Sequence, residues 1–220
     1  EQFGPNEDFD RYPRTLEKDL NLLEERKVDI VFIPDTKSIY PTNYSTYLVE
    51  EKLSAGLCGI SRHVYFRGVV TILAILFNIV HPNFAVFGQK DAQQCAVIRK
   101  FTQDMRFPIE INVCPTVREK DGLAMSSRNA YMDIAQRKEA GALYRSLKKV
   151  EKMIHEGEKN VNRITEEIID YISAFSRLRL IYVSIVHCNT LEPLKKISPG
   201  QSLVALAVWC DDIRLIDNIV

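Results

Sequence analysis

The sequence predicts an α/β fold: a parallel sheet with helical crossovers, followed by a smaller α+β domain. Three observations carry this. Helical and β-rich patterns alternate from residue 15 to residue 114, the order expected of strands joined by helices. After Pro115 the order changes to two helical patterns and then three β-rich runs. No internal repeat or low-complexity tract interrupts either part. The change of character places a domain boundary near residue 117, dividing the chain into 1–116 and 117–220.

Residues 2–14 are polar, contain Gly4, Pro5 and Pro13, and read as a loop. Thr15 stands where a helix cap belongs, with Glu17 and Asp19 in the first turn opposing the helix dipole. Leu16, Leu20 and Leu23 recur at helical spacing, and Lys27 ends the helix. Residues 28–34, Val-Asp-Ile-Val-Phe-Ile-Pro, are a short β-rich run stopped by proline, the pattern of a strand. Residues 35–67 are irregular. A buried helix is expected over 69–80, a strand over 84–87, a loop at 88–90 and a helix over 91–105. The buried face of that last helix would carry Ala92, Ala96, Val97 or Ile98, Phe101 and Met105. Residues 109–114 complete the first part as a strand. Residues 117–130 are a polar loop. Helices follow at 134–156 and 161–175, separated by Gly157, and strands at 180–186, 203–209 and 213–219.

The 220 residues carry 29 basic and 29 acidic side chains, for a net charge of zero. With no basic block, the chain lacks the footprint of a nucleic-acid surface or a polybasic membrane patch. The most apolar stretch, 69–80, is too short for a bilayer, which takes roughly 20 residues. The five cysteines, Cys58, Cys95, Cys114, Cys188 and Cys210, are odd in number and form no C-x-x-C pair. They read as small buried hydrophobes in a reducing, cytoplasmic setting. The four histidines have no second His or Cys at ligand spacing, so no metal site is expected. No Walker P-loop or G-x-S-x-G elbow occurs. The chain does not begin with Met and shows no signal peptide, and it reads as an excerpt or a processed product.

Two segments have the makings of a site. The first is Gly88-Gln89-Lys90-Asp91 with Gln94, where a predicted parallel strand passes into a helix. Open α/β sheets bind ligands at the carboxyl ends of their strands. Gly88 admits close backbone approach, the helix start favours anions, and Lys90 is a compact charge suited to phosphate. Asp91 could accept ribose hydroxyls, and Gln94 lies one turn on, along the same side. A solvated helix cap with two surface amides is the competing reading, at even weight. The second segment is Met125-Ser126-Ser127-Arg128-Asn129. A forked Arg donor between hydroxyls can wrap a polyphosphate. An ordinary polar linker, with a serine capping the next helix, explains the same residues. Gln2 and the Asp10–Arg14 loop say almost nothing alone.

Together these segments resemble the pantothenate synthetase family over nearly the whole chain. The resemblance is carried by Gln2-Phe3-Gly4, Tyr12-Pro13-Arg14, Phe66-Arg67-Gly68-Val69, Gly88-Gln89-Lys90-Asp91 with Gln94, the run 115–129, and the tail Arg214-Leu215-Ile216-Asp217-Asn218. Gln89, where bacterial members usually carry Glu, looks more like the fungal branch. The resemblance implies a Rossmann-like nucleotidyltransferase sheet, its first βα unit missing, with an α+β lid domain. It implies an ATP-dependent, AMP-forming ligase that joins pantoate to β-alanine through pantoyl adenylate, with Mg²⁺ accompanying ATP, as a cytoplasmic homodimer.

By position, Gln2 and Gln94 would hold pantoate. Gly88, Gln89, Lys90 and Asp91 would contact ATP, with Lys90 at the phosphates and Asp91 at the ribose. The Val117 backbone would face adenine, and Met125, Ser126, Ser127 and Arg128 would close over the triphosphate. Lys90 would support the chemistry, which needs no protein nucleophile. Two departures stand out. The family's H-x-G-H pair, which stabilises the phosphate transition state upstream of Gln2, has no counterpart here. On that reading the chain by itself adenylates little. The usual Arg-Pro-Gly-His-Phe reads Arg62-His63-Val64-Tyr65-Phe66, so Tyr65 replaces a histidine and cannot be cationic near neutral pH. Two other classes remain open: a non-catalytic dimer partner, and a related adenylyl-transferring enzyme for another small acid.

Overall fold

The computed structural model describes residues 3, 9–62 and 64–220. Its helices are α1 (Leu16–Glu25), α2 (Thr36–Ile39), α3 (Tyr65–Val80), α4 (Ala92–Asp104), α5 (Ile134–Ala140), α6 (Ala142–His155) and α7 (Val161–Ser173). Its strands are β1 (Phe84–Gly88), β2 (Glu110–Cys114), β3 (Leu178–His187), β4 (Ser202–Cys210) and β5 (Ile213–Ile219). β1 and β2 pair in parallel, Phe84 opposite Glu110 and Gly88 opposite Cys114, with α4 as their crossover. β3, β4 and β5 form an antiparallel sheet in that order. The expected α/β class and the second, antiparallel sheet are both present.

Each element has a local cause. α3 ends where His81 turns left-handed (φ 49°), ahead of Pro82, which cannot continue a helix. Its Phe66, Val69, Val70, Ala74 and Phe77 are buried, and Val70 and Phe77 pack with Val97 and Phe101 of α4. Asp133 and Gln136 close a capping box on α5. Asn160 caps α7 through Asn162 and Arg163 N–H. Gly157, at φ 100°, takes the backbone conformation that separates α6 from α7.

β4 determines how the parts meet. Alternate residues Val204, Leu206, Val208 and Cys210 enter the core that α6 and α7 cover. Leu203 and Ala205, on the opposite face, pack with Leu57 and Ala92 of the first part. A strand covered on both faces must read as a continuous apolar run, and Ser-Leu-Val-Ala-Leu-Ala-Val-Trp-Cys does. The irregular stretch before α3 is held by buried Gln93. Its amide donates to the Leu53 and Gly56 carbonyls, and its Oε1 accepts from Cys58 N–H.

Several expectations need correction. Residues 28–34 form no strand: neither described sheet pairs with them, and Ile30 is 84% exposed. High β-propensity makes no strand without a neighbour to take its N–H and C=O groups. α1 forms as expected, but buries no residue, and Thr15 gives it no side-chain cap. The helix expected over 134–156 breaks at Gly141 into α5 and α6. Met105, expected in the core, lies beyond α4 and is exposed. Of the cysteines, Cys58, Cys95 and Cys210 are buried, whereas Cys114 is exposed; all five are free. β1 and β2 half-bury one face only, through Ala85, Phe87 and Ile111, leaving Phe84 and Val86 exposed on the other. No helix among the described residues is long and apolar enough to cross a membrane.

Replacing Ile168, wholly buried between α7 and the antiparallel sheet, by Ala should cost about 2–5 kcal/mol of unfolding free energy. A urea titration with unchanged slope and a lower midpoint would show it.

Candidate functional site

The carboxyl end of β1 runs through Gly88 into a single 3₁₀ turn, Gln89–Asp91, and then into α4. This turn projects Lys90 and Asp91 into a cavity of about 350 Å³. The opposite wall comes from Ser126 and Arg128, and the floor from Arg214 and Ile216 of β5. A smaller chamber of about 40 Å³ shares Lys90, Asp91, Arg62 and Tyr65 with the first and adds Gln94 and Cys58. Two segments far apart in sequence, the lysine turn and the Ser-Ser-Arg segment, therefore face one space.

The loop bearing Ser126 and Arg128 is built on its own backbone. Met125 N–H donates to Val117 O, and Glu119 N–H to Leu123 O, closing a short hairpin around Gly122. Gly122 sits at φ 90°, and a Cβ there would strike the Tyr144 ring at 2.1 Å. Arg137 grips the hairpin with both ends of its guanidinium, on Glu119 (3.0 and 2.7 Å) and Asp121 (3.0 and 2.9 Å). The Arg137 bond, then the Asn129 amide at 2.6 Å, holds the Glu119 carboxyl below its usual range. Ser126 Oγ caps the turn Ser127–Tyr131 by accepting from Arg128 N–H. Across the cavity mouth, Ser127 Oγ donates to Tyr12 Oη at 3.0 Å, and the Arg128 guanidinium lies 5.3 Å from the Tyr12 ring centre.

In the smaller chamber Tyr65 donates its hydroxyl to Gln94 Oε1 at 2.7 Å. Burial, then the negative charge of Asp91, pushes the Tyr65 hydroxyl up to about 12, so it stays a neutral donor at any physiological pH. The Arg62 guanidinium stacks 3.8 Å from its ring centre. With its carbonyl oxygen engaged, Gln94 presents its NH₂ to the chamber, a donor suited to a carboxylate or hydroxyl.

The structure thus brings together Lys90, Asp91, Gln94, Ser126 and Arg128. Gly88 serves as the strand end. Gln89 turns the other way: its amide donates to Asn218 Oδ1 at 3.1 Å, and its side chain lines neither chamber. Val117 is 66% exposed, its carbonyl taken by Met125 N–H; Met125 is also exposed, and Ser127 faces Tyr12. Gln2 and His63 lie outside the described residues. Residue patterning passed over Trp209, Tyr131 and Asp212, which also line the larger chamber. No local pattern marked these three; only the neighbouring Arg214, a charge between apolar residues of β5, could have pointed to this end of the sheet.

A family model described as pantoate-beta-alanine ligase matches residues 1–220. The chain belongs to the pantoate-beta-alanine ligase family. It is 53% identical over 219 residues to the pantothenate synthetase of Pseudothermotoga lettingae, covering 100% of this chain and 78% of that protein. It is 52% identical to that of Acetivibrio thermocellus over the same shares of each chain. The crystal structure of pantothenate synthetase from Thermus thermophilus superposes with a TM-score of 0.95 at 42% identity, covering 99% of this chain and 79% of that one. A pantoate-beta-alanine ligase structure from Francisella tularensis, complexed with beta-gamma ATP and beta-alanine, superposes with a TM-score of 0.76 at 29% identity, covering 100% and 75%. These relatives are bacterial, so the fungal leaning read from Gln89 is corrected: Gln at this position does not separate the chain from bacterial members.

The Glu119 carboxyl is depressed below its ordinary 4.5. A group with a lowered folded pKa adds stability above its unfolded pKa and loses it as pH falls through the folded value. The difference in melting temperature between the natural chain and Glu119→Gln should therefore be present near neutral pH and shrink below pH 4.5. Calorimetry across that range measures it, and a gap independent of pH would contradict the ion pair.

Proposed function

We propose that the two chambers are the ATP and pantoate sites of a pantoate–β-alanine ligase, with Lys90 as the phosphate-binding group. The observation that carries this is the convergence of Lys90, Ser126 and Arg128 on one cavity, beside a chamber in which Gln94 offers its NH₂. The nucleotide and amino-acid ligands of the Francisella tularensis structure support the assignment of ATP and β-alanine as substrates. Asp91 takes the ribose, Gly88 admits the nucleotide, and the Val117 backbone meets adenine. Met125, Ser126, Ser127 and Arg128 close over the triphosphate, and Gln89 contributes to this site through its backbone. Gln2 joins Gln94 on pantoate.

The pantoate carboxylate oxygen attacks the α-phosphorus of ATP, and the bond to pyrophosphate breaks. The β-alanine amine then attacks the acyl carbon of pantoyl adenylate, and AMP leaves as the amide forms. The protein holds reactants in line and opposes the growing phosphate charge with Lys90 and Arg128. A Mg²⁺ ion accompanying the nucleotide would be held by the phosphate oxygens and would offset part of their charge. Among the described residues no three His, Cys, Asp or Glu side chains cluster to hold a metal. The same reading divides the chain into 1–116, with the lysine turn, and 117–220, with the closing loop. The separate cores around Phe77 and around Leu206 support that division. A cytoplasmic homodimer completes the reading, carried by the family resemblance.

Pyrophosphate release by the whole gene product should require both pantoate and ATP; release without pantoate would refute the assignment. Lys90→Ala should lower that rate roughly 10²–10³-fold while leaving the melting temperature unchanged. Tyr65→Phe should raise the pantoate KM about 3- to 10-fold, with kcat little changed, because one neutral hydrogen bond to Gln94 is lost. Steady-state kinetics with pantoate varied measures this.

A further inference from the structure

The tail Arg214-Leu215-Ile216-Asp217-Asn218 ends in two buried polar residues near the end of β5. Asp217 is 2% exposed and Asn218 is 5% exposed. Burial of a carboxylate and a carboxamide is costly unless both are fully bonded. They are, and their partners are the two sides of the site.

Asn218 Nδ2 donates to the carbonyls of Gln89 and Lys90, each at 3.0 Å. Its Oδ1 accepts from the Gln89 amide at 3.1 Å. Both donors and the acceptor of the carboxamide are therefore spent on the lysine turn. Asp217 accepts Arg118 in a fork, at 2.6 and 2.9 Å, and Asn218 N–H donates to Asp217 Oδ1 at 2.8 Å. Arg118 also donates to Gly122 O at 3.1 Å and stacks 4.1 Å from the Tyr144 ring centre, so it is the root of the hairpin that leads to Ser126. One dipeptide at the end of β5 thus grips the backbone under Lys90 with one side chain and the base of the closing loop with the other.

We propose that Asn218 is a positioning residue for the ligase reaction: its carboxamide fixes the Lys90 turn relative to the Ser126–Arg128 loop that Asp217 anchors through Arg118. This rests on the reading of Lys90 as the phosphate-binding group. Neither carbonyl bond needs the Lys90 side chain, so Asn218 acts on where the ammonium is held. An acceptor-only side chain at 218 cannot replace it, because both Gln89 and Lys90 offer carbonyl oxygens.

A double-mutant cycle tests this in the whole gene product, with pantoate-dependent pyrophosphate release as readout. Asn218→Ala should lower kcat/KM for ATP roughly 10- to 100-fold, since a small displacement of a binding group has that effect. In the Lys90→Ala background the same change should have almost no further effect, because the group it positions is gone. A merely structural role would instead multiply the two losses. The proposal is overturned if Asn218→Ala alone leaves kcat/KM unchanged, or if its full factor persists on Lys90→Ala. Unchanged turnover in Lys90→Ala alone would remove the lysine reading and this proposal with it, a distinct outcome. If Asn218→Ala does not fold, Asn218→Asp enters the same cycle. It keeps the shape and the acceptor for Gln89 and deletes both donors, so the same pair of results decides.

Discussion

The middle strand of the antiparallel sheet has no solvent face, and most of the architecture follows from that. Val204, Leu206 and Val208 close the core under α6 and α7, while Leu203 and Ala205 abut Leu57 and Ala92. Apolar burial on both faces presses the second sheet against the start of α4, where the lysine turn lies. With no polar position free on β4, the polar work at this junction falls to its neighbours, β3 and β5. Tyr182 on β3 reaches Cys58 across the junction at 3.2 Å, and its hydroxyl is pushed up by burial. β5 supplies Arg214, Asp217 and Asn218.

The same constraint explains the electrostatics of the site. The cavity has Leu123, Ala124, Ile213 and Leu215 as its buried lining, with half-buried polar groups between them. Fixed donors in such a space act on phosphate more strongly than they would in bulk water. Tyr65 shows what a neutral group contributes there. It cannot add positive charge, yet it donates to the carbonyl oxygen of Gln94, whose side chain lines the smaller chamber. Arg62, stacked on its ring, and Arg214 keep cationic character in the same walls.

Much of this was legible in the chain. The elements from α3 to β2 follow from apolar periodicity, and Gly88-Gln89-Lys90-Asp91 falls at a strand end because Phe-Ala-Val-Phe stops at glycine. Asp133 with Gln136, and Asn160, are local caps that residue patterning passed over, while Thr15, read as a cap, makes no side-chain cap bond. The rest of what patterning missed was non-local. Residues 28–34 read as a strand because Val, Ile and Phe favour that state, but strand formation needs a partner that no local pattern reveals. Gln89 and Gln94 are both amides near Lys90, and the family resemblance gave each a ligand role. Only the fold sends Gln94 into the chamber and Gln89 toward Asn218, 129 residues away.

The chain by itself determined most of the helices and the five strands from Phe84 onward, the lysine turn, the Ser-Ser-Arg segment and the family, because each is written in short runs whose order and spacing survive without coordinates. Tertiary structure decided which of those side chains share a space. The reason is geometric: Lys90 and Arg128 line one cavity only because a doubly buried strand packs against the start of α4, and a buried Asp-Asn pair on the last strand ties both segments to that joint.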